Sequence, residues 1–455
     1  MTKKAIIIGA GISGLCIGAI LAKHGINVEI YEKMSKVGGR TASTIFKNHI
    51  LDNGFHIMPF YKKSSLYEVL KLLDIHNLLK LSKVTEISFY HENKFYKYPK
   101  GLLDFLTLSL LPFRNRLEVL KLIVPMAFAS IKQSEKMDHI PLTNLTNKLD
   151  KKSNSFFDAI CMLAFADTQE HVAVGEFIRT IIKSNPFRGG TSEFGYPSEG
   201  GYDTISKILS HYITSFSGSK IILNEPVKKI IVKNGRVEGI EKNIDSSSII
   251  KCDCIIISSP AYLAIHELLD KDILDNNFIN YVNRLNKSTS VVETHYGLSE
   301  NIEKQRQIVF PTSLSSTTKG IFFISNITES VSPKGEYLVL AGTPVTREET
   351  SSSNCITTIK EKMKKDICEI YSNFDKFLIW ERTMTWKLVE SVSKEPGLVW
   401  KEKMPHMIDD VKGLFFVGDS TISYGIGTDA AAHSALLCYP KTLSFLKRDS
   451  ENAFT

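Results

Sequence analysis

Apolar residues follow two different patterns along this chain. At residues 5–8, 255–257 and 414–417 they form short unbroken runs, the pattern of strands buried on both faces of a parallel sheet. Between residues 64 and 177 they recur mostly at helical spacing, with Leu117, Leu120 and Val124 on one face and Arg114, Glu118 and Lys121 on another. The first pattern predicts a doubly wound sheet, the second a largely helical insertion. A strand over 5–8, a helix over 13–24 and a strand over 28–32 make a strand–helix–strand unit, whose two strands must run parallel. Residues 220–242 predict a β-hairpin: Ile221, Ile222 and Leu223 lead into 227–232, a turn at Asn234-Gly235 and a return over 237–240. Residues 288–297, 321–324 and 337–341 read as strands of a second sheet, 360–371 as a charged amphipathic helix and 429–437 as an alanine-rich helix.

Strands able to join one sheet thus lie near residues 5, 28, 222, 256 and 415, far apart in the chain. The predicted class is α/β. A discontinuous Rossmann-type domain in three parts, 1–62, 199–287 and 405–455, carries an α+β domain inserted as 63–198 and 288–404. A length of 455 residues suits two cores, because single cores stop growing at roughly 250–300 residues.

Hydrophobic residues at 43% and charged residues at 23% argue against disorder and against a polytopic membrane protein. The net charge of +7 is spread without a block of like charges, which suits an anionic ligand or membrane surface and gives no support for nucleic-acid binding. Seven scattered cysteines, an odd number, fit a reducing cytosol better than a disulfide framework. Cys252 and Cys254 read as buried thiols, and no His or Cys cluster has zinc spacing, so no metal site is expected. Residues 5–22 resemble a signal peptide or membrane helix, but Gly9, Gly11, Gly14 and Gly18 interrupt them. In residues 102–131, also apolar, Asp104, Arg114, Arg116, Glu118 and Lys121 forbid a membrane span. That stretch predicts either a core helix pair or a surface that docks peripherally on lipid, where Arg114, Arg116 and Lys121 would meet anionic headgroups.

Candidate chemistry starts at Gly9-Ala10-Gly11-Ile12-Ser13-Gly14, a G-x-G-x-x-G between a strand and a helix. The first glycine permits the tight turn, the second lets backbone approach a pyrophosphate, and the third packs helix on strand. Glu32 ends the second strand 18 residues after Gly14, where a carboxylate accepts from ribose hydroxyls and repels a 2′-phosphate. These residues imply a dinucleotide and do not by themselves separate NAD from FAD.

Glu32, then Gly38-Gly39-Arg40-Thr41, then Asp52-Asn53-Gly54-Phe55-His56 resemble the N-terminus of the amine oxidase and phytoene desaturase superfamily of FAD enzymes. The resemblance continues at Gly418-Asp419 and at Gly425-Ile426-Gly427-Thr428-Asp429, where Thr428 or Asp429 suits a helix N-cap. It implies FAD contacts at Gly9, Gly11, Ile12, Ser13 and Gly14, at Glu32 and Lys33, and at Gly38, Gly39, Arg40 and Thr41. It further implies contacts at Val227, at Gly418 and Asp419, and along Gly427, Thr428 and Asp429. Non-covalent FAD is expected, because Cys438 falls after the predicted helix.

Within the superfamily, Tyr196-Pro197-Ser198-Glu199-Gly200-Gly201-Tyr202 looks like the Pro-x-x-Gly-Gly turn of the phytoene desaturase and retinol saturase branch. Amine oxidases carry a lysine inside the strand that follows, whereas residues 288–296 contain none. The first expectation is therefore hydride transfer between a C–H bond of an apolar substrate and flavin N5. Amine oxidation and protoporphyrinogen-type oxidation are the alternatives, and Rab GDP-dissociation inhibitors are a non-catalytic relative of the fold. His56 and Tyr424 are the candidate catalytic residues. The substrate is an apolar small molecule or an amine, and the electron acceptor a quinone, oxygen or a nicotinamide.

Overall fold

The computed structural model describes residues 2–54, 56–59, 64–185, 193–242, 249–313 and 316–451. Five parallel strands form one sheet in the order Lys220–Ile222, Asn27–Tyr31, Lys4–Ile8, Cys254–Ile257, Leu414–Phe416. Its register places Ile7 between Ile30 and Ile256. Ala5 and Ile7 face a core shared with the Ile12–Lys23 helix, while Ile6 and Ile8 face a second core with Ala261, Tyr262 and Ile265. Both faces are covered, which is why these strands read as unbroken apolar runs.

A seven-stranded sheet stands beside it, in the order Leu378–Trp386, Ser290–Leu298, Tyr337–Val345, Gly320–Phe323, Ile308–Pro311, Ile87–His91, Lys94–Lys97. The three strands expected from residues 288–341 all belong to it. The predicted amphipathic helix is Ser353–Ile370, and it packs on the Ser290–Leu298 strand.

Three expectations need correction. Ile221 and Ile222 do not begin the hairpin: they pair in parallel with Ile30 and Tyr31 at the sheet edge. The Thr204–Thr214 helix, packed on the Ile12–Lys23 helix, is the crossover that delivers them there. The hairpin itself is Lys229–Lys233 with Arg236–Glu241. The insertion is not helical throughout, since Leu81–Val84, Ile87–His91 and Lys94–Lys97 are strands. Ile87-Ser88-Phe89 alternates with period two, and Glu92 and Asn93 both have positive φ, the backbone of a two-residue hairpin turn. Finally, the C-terminal helix runs Gly427–Glu451, so Cys438 lies buried inside it.

Residues 102–131 fold as the helices Leu102–Leu106 and Phe113–Phe128. Phe105, Leu108, Leu110, Leu111, Val119 and Met126 are buried, yet Leu102, Leu103, Phe113, Leu117, Val124 and Phe128 are exposed. Arg116 turns inward and donates to the Leu106 carbonyl. Among the described residues, no helix is long and apolar enough to cross a membrane.

Candidate active site

The glycine loop has the backbone its sequence demands. Gly9 has φ +101°, and a Cβ on Gly14 would stand 2.3 Å from the Gly9 carbonyl oxygen, so neither position accepts a side chain. A Cβ on Gly11 would meet nothing within 4 Å. The loop is therefore open over Gly11, beside the free N–H groups that begin the Ile12–Lys23 helix. Ile12 and Ser13 are buried at that helix start.

Glu32 is 7% exposed directly after the second strand. One carboxylate oxygen accepts from Ala10 N–H (2.8 Å) and the other from Met34 N–H (2.9 Å), which holds the acid against the loop. Lys33 beside it is exposed. Gly38 N–H donates to the Ala10 carbonyl (2.8 Å), and a Cβ on Gly39 would lie 3.6 Å from Gly11 Cα. Thr41 Oγ1 donates to the Gly38 carbonyl (2.8 Å), closing this turn across the loop. Val227 is half-buried on the second core, just before the hairpin.

Arg40 ties this assembly to the C-terminal segment. Its Nη1 donates to Asp419 Oδ2 (2.8 Å) and its Nη2 to Oδ1 (2.6 Å), a bidentate pair. Ser391 donates to the same carboxylate from its N–H and its hydroxyl, both at 2.7 Å. Burial alone would favour the neutral acid, but the Arg40 guanidinium and the Ser391 donors hold the Asp419 carboxyl well below the usual carboxylate range. Four donors saturate it, so Asp419 orients Arg40. Gly418, at φ +133°, donates its N–H to Ser434 Oγ (2.9 Å).

The C-terminal helix begins at Gly427, whose N–H donates to Glu390 Oε1 (3.3 Å). Neither Thr428 nor Asp429 caps it, because both sit inside the first turn and Glu390 brings the acceptor from elsewhere. Thr428 Oγ1 bonds the Tyr202 hydroxyl (2.9 Å). Asp429 accepts from Ser65 N–H and pairs with Lys183, both at 2.5 Å, anchoring the helix to two elements of the insertion. A Cβ on Gly427 would meet nothing within 4 Å, a second open stretch of backbone.

A cavity runs from Arg40, Gly427 and Thr428 to the face of the seven-stranded sheet. Its walls are mostly apolar, with Met162, Leu163, Phe165, Phe322, Leu340 and Leu388, while Gly54, His56, Tyr202, Glu293 and Trp386 gather at one side. His56 Nε2 lies 3.1 Å from the carbonyl oxygens of both Arg40 and Asn53, so this nitrogen carries the hydrogen. The ring stacks on Tyr202 with centroids 4.9 Å apart, and burial lowers its pKa, keeping the imidazole neutral. Asp52 accepts from Ser43 Oγ (2.6 Å), Tyr196 OH (2.5 Å) and Tyr202 N–H (3.0 Å), tying the 200–202 turn to the 49–52 strand. Phe55 lies outside the described residues.

Tyr424 is not at this cavity. Its ring packs on His433 (4.4 Å) and Trp400 (4.8 Å), with the Lys183 ammonium 4.7 Å from its centroid. Lys183, paired with Asp429, also donates to the Tyr424 carbonyl (3.4 Å), and Tyr202 and Trp386 are the polar aromatics that line the cavity instead. Sequence reasoning also missed Glu293. Its signal was a lone acid in the middle of an apolar strand, Val291-Val292-Glu293-Thr294.

A profile of the flavin containing amine oxidoreductases matches residues 12–438, almost the whole chain. The chain belongs to that family. This flavin oxidoreductase is 23% identical over 359 residues to 4,4'-diapophytoene desaturase (4,4'-diapolycopene-forming) from Methylomonas sp, covering 73% of this chain and 68% of the relative. It is 22% identical over 413 residues to phytoene desaturase from Phycomyces blakesleeanus, covering 81% and 70%. Among solved structures, an oxidoreductase from Methanosarcina mazei superposes with a TM-score of 0.77 at 21% identity, over 95% of this chain and 99% of that one, a likeness of fold. The chain is an FAD-dependent oxidoreductase. The open backbone at Gly11 and Gly427 and the bridge between them through Arg40 and Asp419 fit an extended dinucleotide.

Proposed function

We propose that this flavin oxidoreductase acts on a C–H bond of an apolar, isoprenoid-like small molecule, as a desaturase or dehydrogenase. The observation that carries the reading is the cavity. It joins the Gly427 end of the dinucleotide groove to walls of Met, Leu and Phe side chains, and the strand at its side bears Glu293 and no lysine. In this reading Glu32 would hold the ribose of FAD, the backbone of Gly9, Gly11, Ser13 and Gly14 its pyrophosphate, and Gly427 and Thr428 its flavin ring. Arg40, with Gly38, Gly39 and Thr41, borders the pyrophosphate and ring, and Val227 meets adenine through its main chain. When bound, FAD supplies the two-electron hydride acceptor. The chain positions the substrate between Tyr202, Phe322 and Trp386 and keeps water from the reacting carbon. The FAD-binding parts are 1–62, 199–287 and 405–455, and 63–198 with 288–404 form the substrate domain.

Peripheral lipid contact belongs to the same reading. Leu102, Leu103, Phe113, Leu117, Val124 and Phe128 are exposed along the two helices, with Arg114 and Lys121 exposed among them. Insertion of that apolar face would let a water-insoluble substrate pass from lipid to protein.

The experiment is anaerobic mixing of the purified yellow protein with phytoene or 4,4'-diapophytoene in anionic vesicles. Bleaching of the flavin absorption by either polyene is the expected result, with no bleaching by simple alkylamines. Bleaching by an amine alone overturns the reading. Without a lysine in the strand, reoxidation should also be faster with a quinone than with air.

A further inference from the structure

The geometry points to Glu293 as the group that exchanges a proton with the substrate in this cavity. The inference rests on the proposed flavin chemistry. Glu293 is 2% exposed and projects from the middle of the Ser290–Leu298 strand into the cavity. Trp386 Nε1–H donates to its Oε1 (2.5 Å), and Gly54 N–H also donates to the carboxyl. A Cβ on Gly54 would lie 3.9 Å from Glu293 Oε2 and 3.6 Å from His56 Nε2, so acid and imidazole flank one glycine.

The two other charged side chains of the cavity, Arg40 and Glu390, are already paired. Arg40 is paired with Asp419, and Glu390 holds Lys394 at 3.2 Å and the Gly427 N–H. The Tyr202 hydroxyl bonds Thr428, and the His56 Nε2–H faces two carbonyls. Glu293 has no ion-pair partner among the described residues. Asp52 and His56 face it from the Gly54 side, His295 and Arg382 lie further along the paired strands, and its cross-strand neighbours are Gly342 and Met384. Residues 162–166 and 340–344, which close the cavity, carry no titratable side chain.

Burial pushes the Glu293 pKa up to about 8, so the carboxyl is neutral at neutral pH and close to the point where it can both give and regain a proton. The chemistry needs such a group. A substrate carbon that surrenders hydride to bound FAD becomes electron-poor, and the double bond forms only when a proton leaves the adjacent carbon. The ionised fraction of Glu293, which grows as pH approaches 8, takes that proton, and in the reverse direction the neutral acid returns it.

The test uses the full chain loaded with FAD, with Glu293→Gln and Glu293→Asp beside the wild type. A wild type that holds no flavin sinks the proposed function and is seen before any variant is compared. With flavin bound, the midpoint potential is followed against pH by anaerobic dye titration, and infrared spectra are followed over the same range. Reduction places negative charge beside the acid and raises its pKa, so above about pH 8 each reduction draws a further proton onto Glu293. The wild-type potential should therefore fall more steeply with pH there than that of Glu293→Gln, and a protonated-carboxyl infrared band should vanish in the variant. Flavin reduction by the polyene that bleaches the wild type should slow at least about 100-fold. Superimposable potential curves, or an infrared band that survives in Glu293→Gln, overturn the proposal. If Glu293→Gln does not fold, Glu293→Asp decides: a displaced midpoint supports the assignment and an unmoved one overturns it.

Discussion

The dinucleotide groove and the apolar cavity meet at Gly427, yet they are built differently. The groove is mainly backbone: positive-φ glycines, two helix starts and one acid, each dictated by residues close together in sequence. The cavity is lined from segments far apart in the chain, among them Gly54 and His56, residues 162–166, Tyr202, Val291 and Glu293, Phe322, Leu340 and Trp386, brought together only by sheet register and by the packing of the insertion. Such a division lets one cofactor site serve many substrates, because cavity side chains can change without disturbing the turns that hold the cofactor.

The sharpest way to break the groove without touching the cavity is Gly14→Leu. Its Cβ would collide with the Gly9 carbonyl, so the protein should be recovered without flavin, as an absorption spectrum after gel filtration would show. A normal yellow protein would mean the loop is not the cofactor site.

Next comes Asp419→Ala, at the join between the two regions. It removes four hydrogen bonds and leaves Arg40, partly exposed, without its anion. A stability loss of about 1.5–3 kcal/mol in denaturant unfolding, together with weaker FAD binding, is expected. The Asp419 carboxyl is held below its ordinary pKa, so its stabilising contribution is present above about pH 4 and is lost as pH falls further through the folded value. Acid unfolding of the wild type should therefore be steeper than that of the variant.

Glu32→Ala removes fewer contacts, the carboxylate's bonds from Ala10 N–H and Met34 N–H and its reach to the ribose, so its effect stays within the groove. One charged hydrogen bond to ribose contributes about 1.5–3 kcal/mol, so the FAD dissociation constant should rise roughly 10- to 150-fold while folding is kept. Fluorescence titration of apoprotein measures it, and an unchanged affinity would place the ribose elsewhere.

The smallest effect concerns Lys403, buried behind Asp419, where its ammonium donates to the Asp419 carbonyl (2.9 Å) and Ser423 Oγ (3.0 Å). Burial, with Lys394 beside it, lowers its pKa to about 7. The unfolded chain then binds more protons between about pH 7 and pH 10, so this group makes stability rise with pH across that window. Lys403→Met should flatten that slope in thermal melts and leave FAD affinity near the wild-type value. An unaltered slope would show that Lys403 stays charged in the fold.

Much of the groove was legible in sequence because its determinants are short-range. Gly9, Gly11 and Gly14 act through φ and the absence of Cβ, and unbroken apolar runs identify strands covered on both faces. The three strands at residues 81–97 were harder, because Leu81, Val84 and Ile87 repeat at a spacing that also suits a helix, although Ile87-Ser88-Phe89 and Glu92-Asn93 carried the opposite signal. Asp429 illustrates the limit of local rules. It is a good N-cap residue beside a helix start, but Glu390 reaches that helix from another segment and Lys183 claims the aspartate.

By itself, then, the sequence determined the parallel sheet, the glycine loop, the acid after the second strand and the family to which they belong. Tertiary structure alone decided that Arg40 grips Asp419, that Tyr424 faces Lys183 and Trp400, and that Glu293 stands buried beside His56 in the cavity. The reason is distance along the chain. Backbone conformation and burial periodicity are set by neighbours a few residues away, whereas the partner and the ionisation state of a buried side chain depend on groups hundreds of residues distant, which only packing brings within hydrogen-bonding reach.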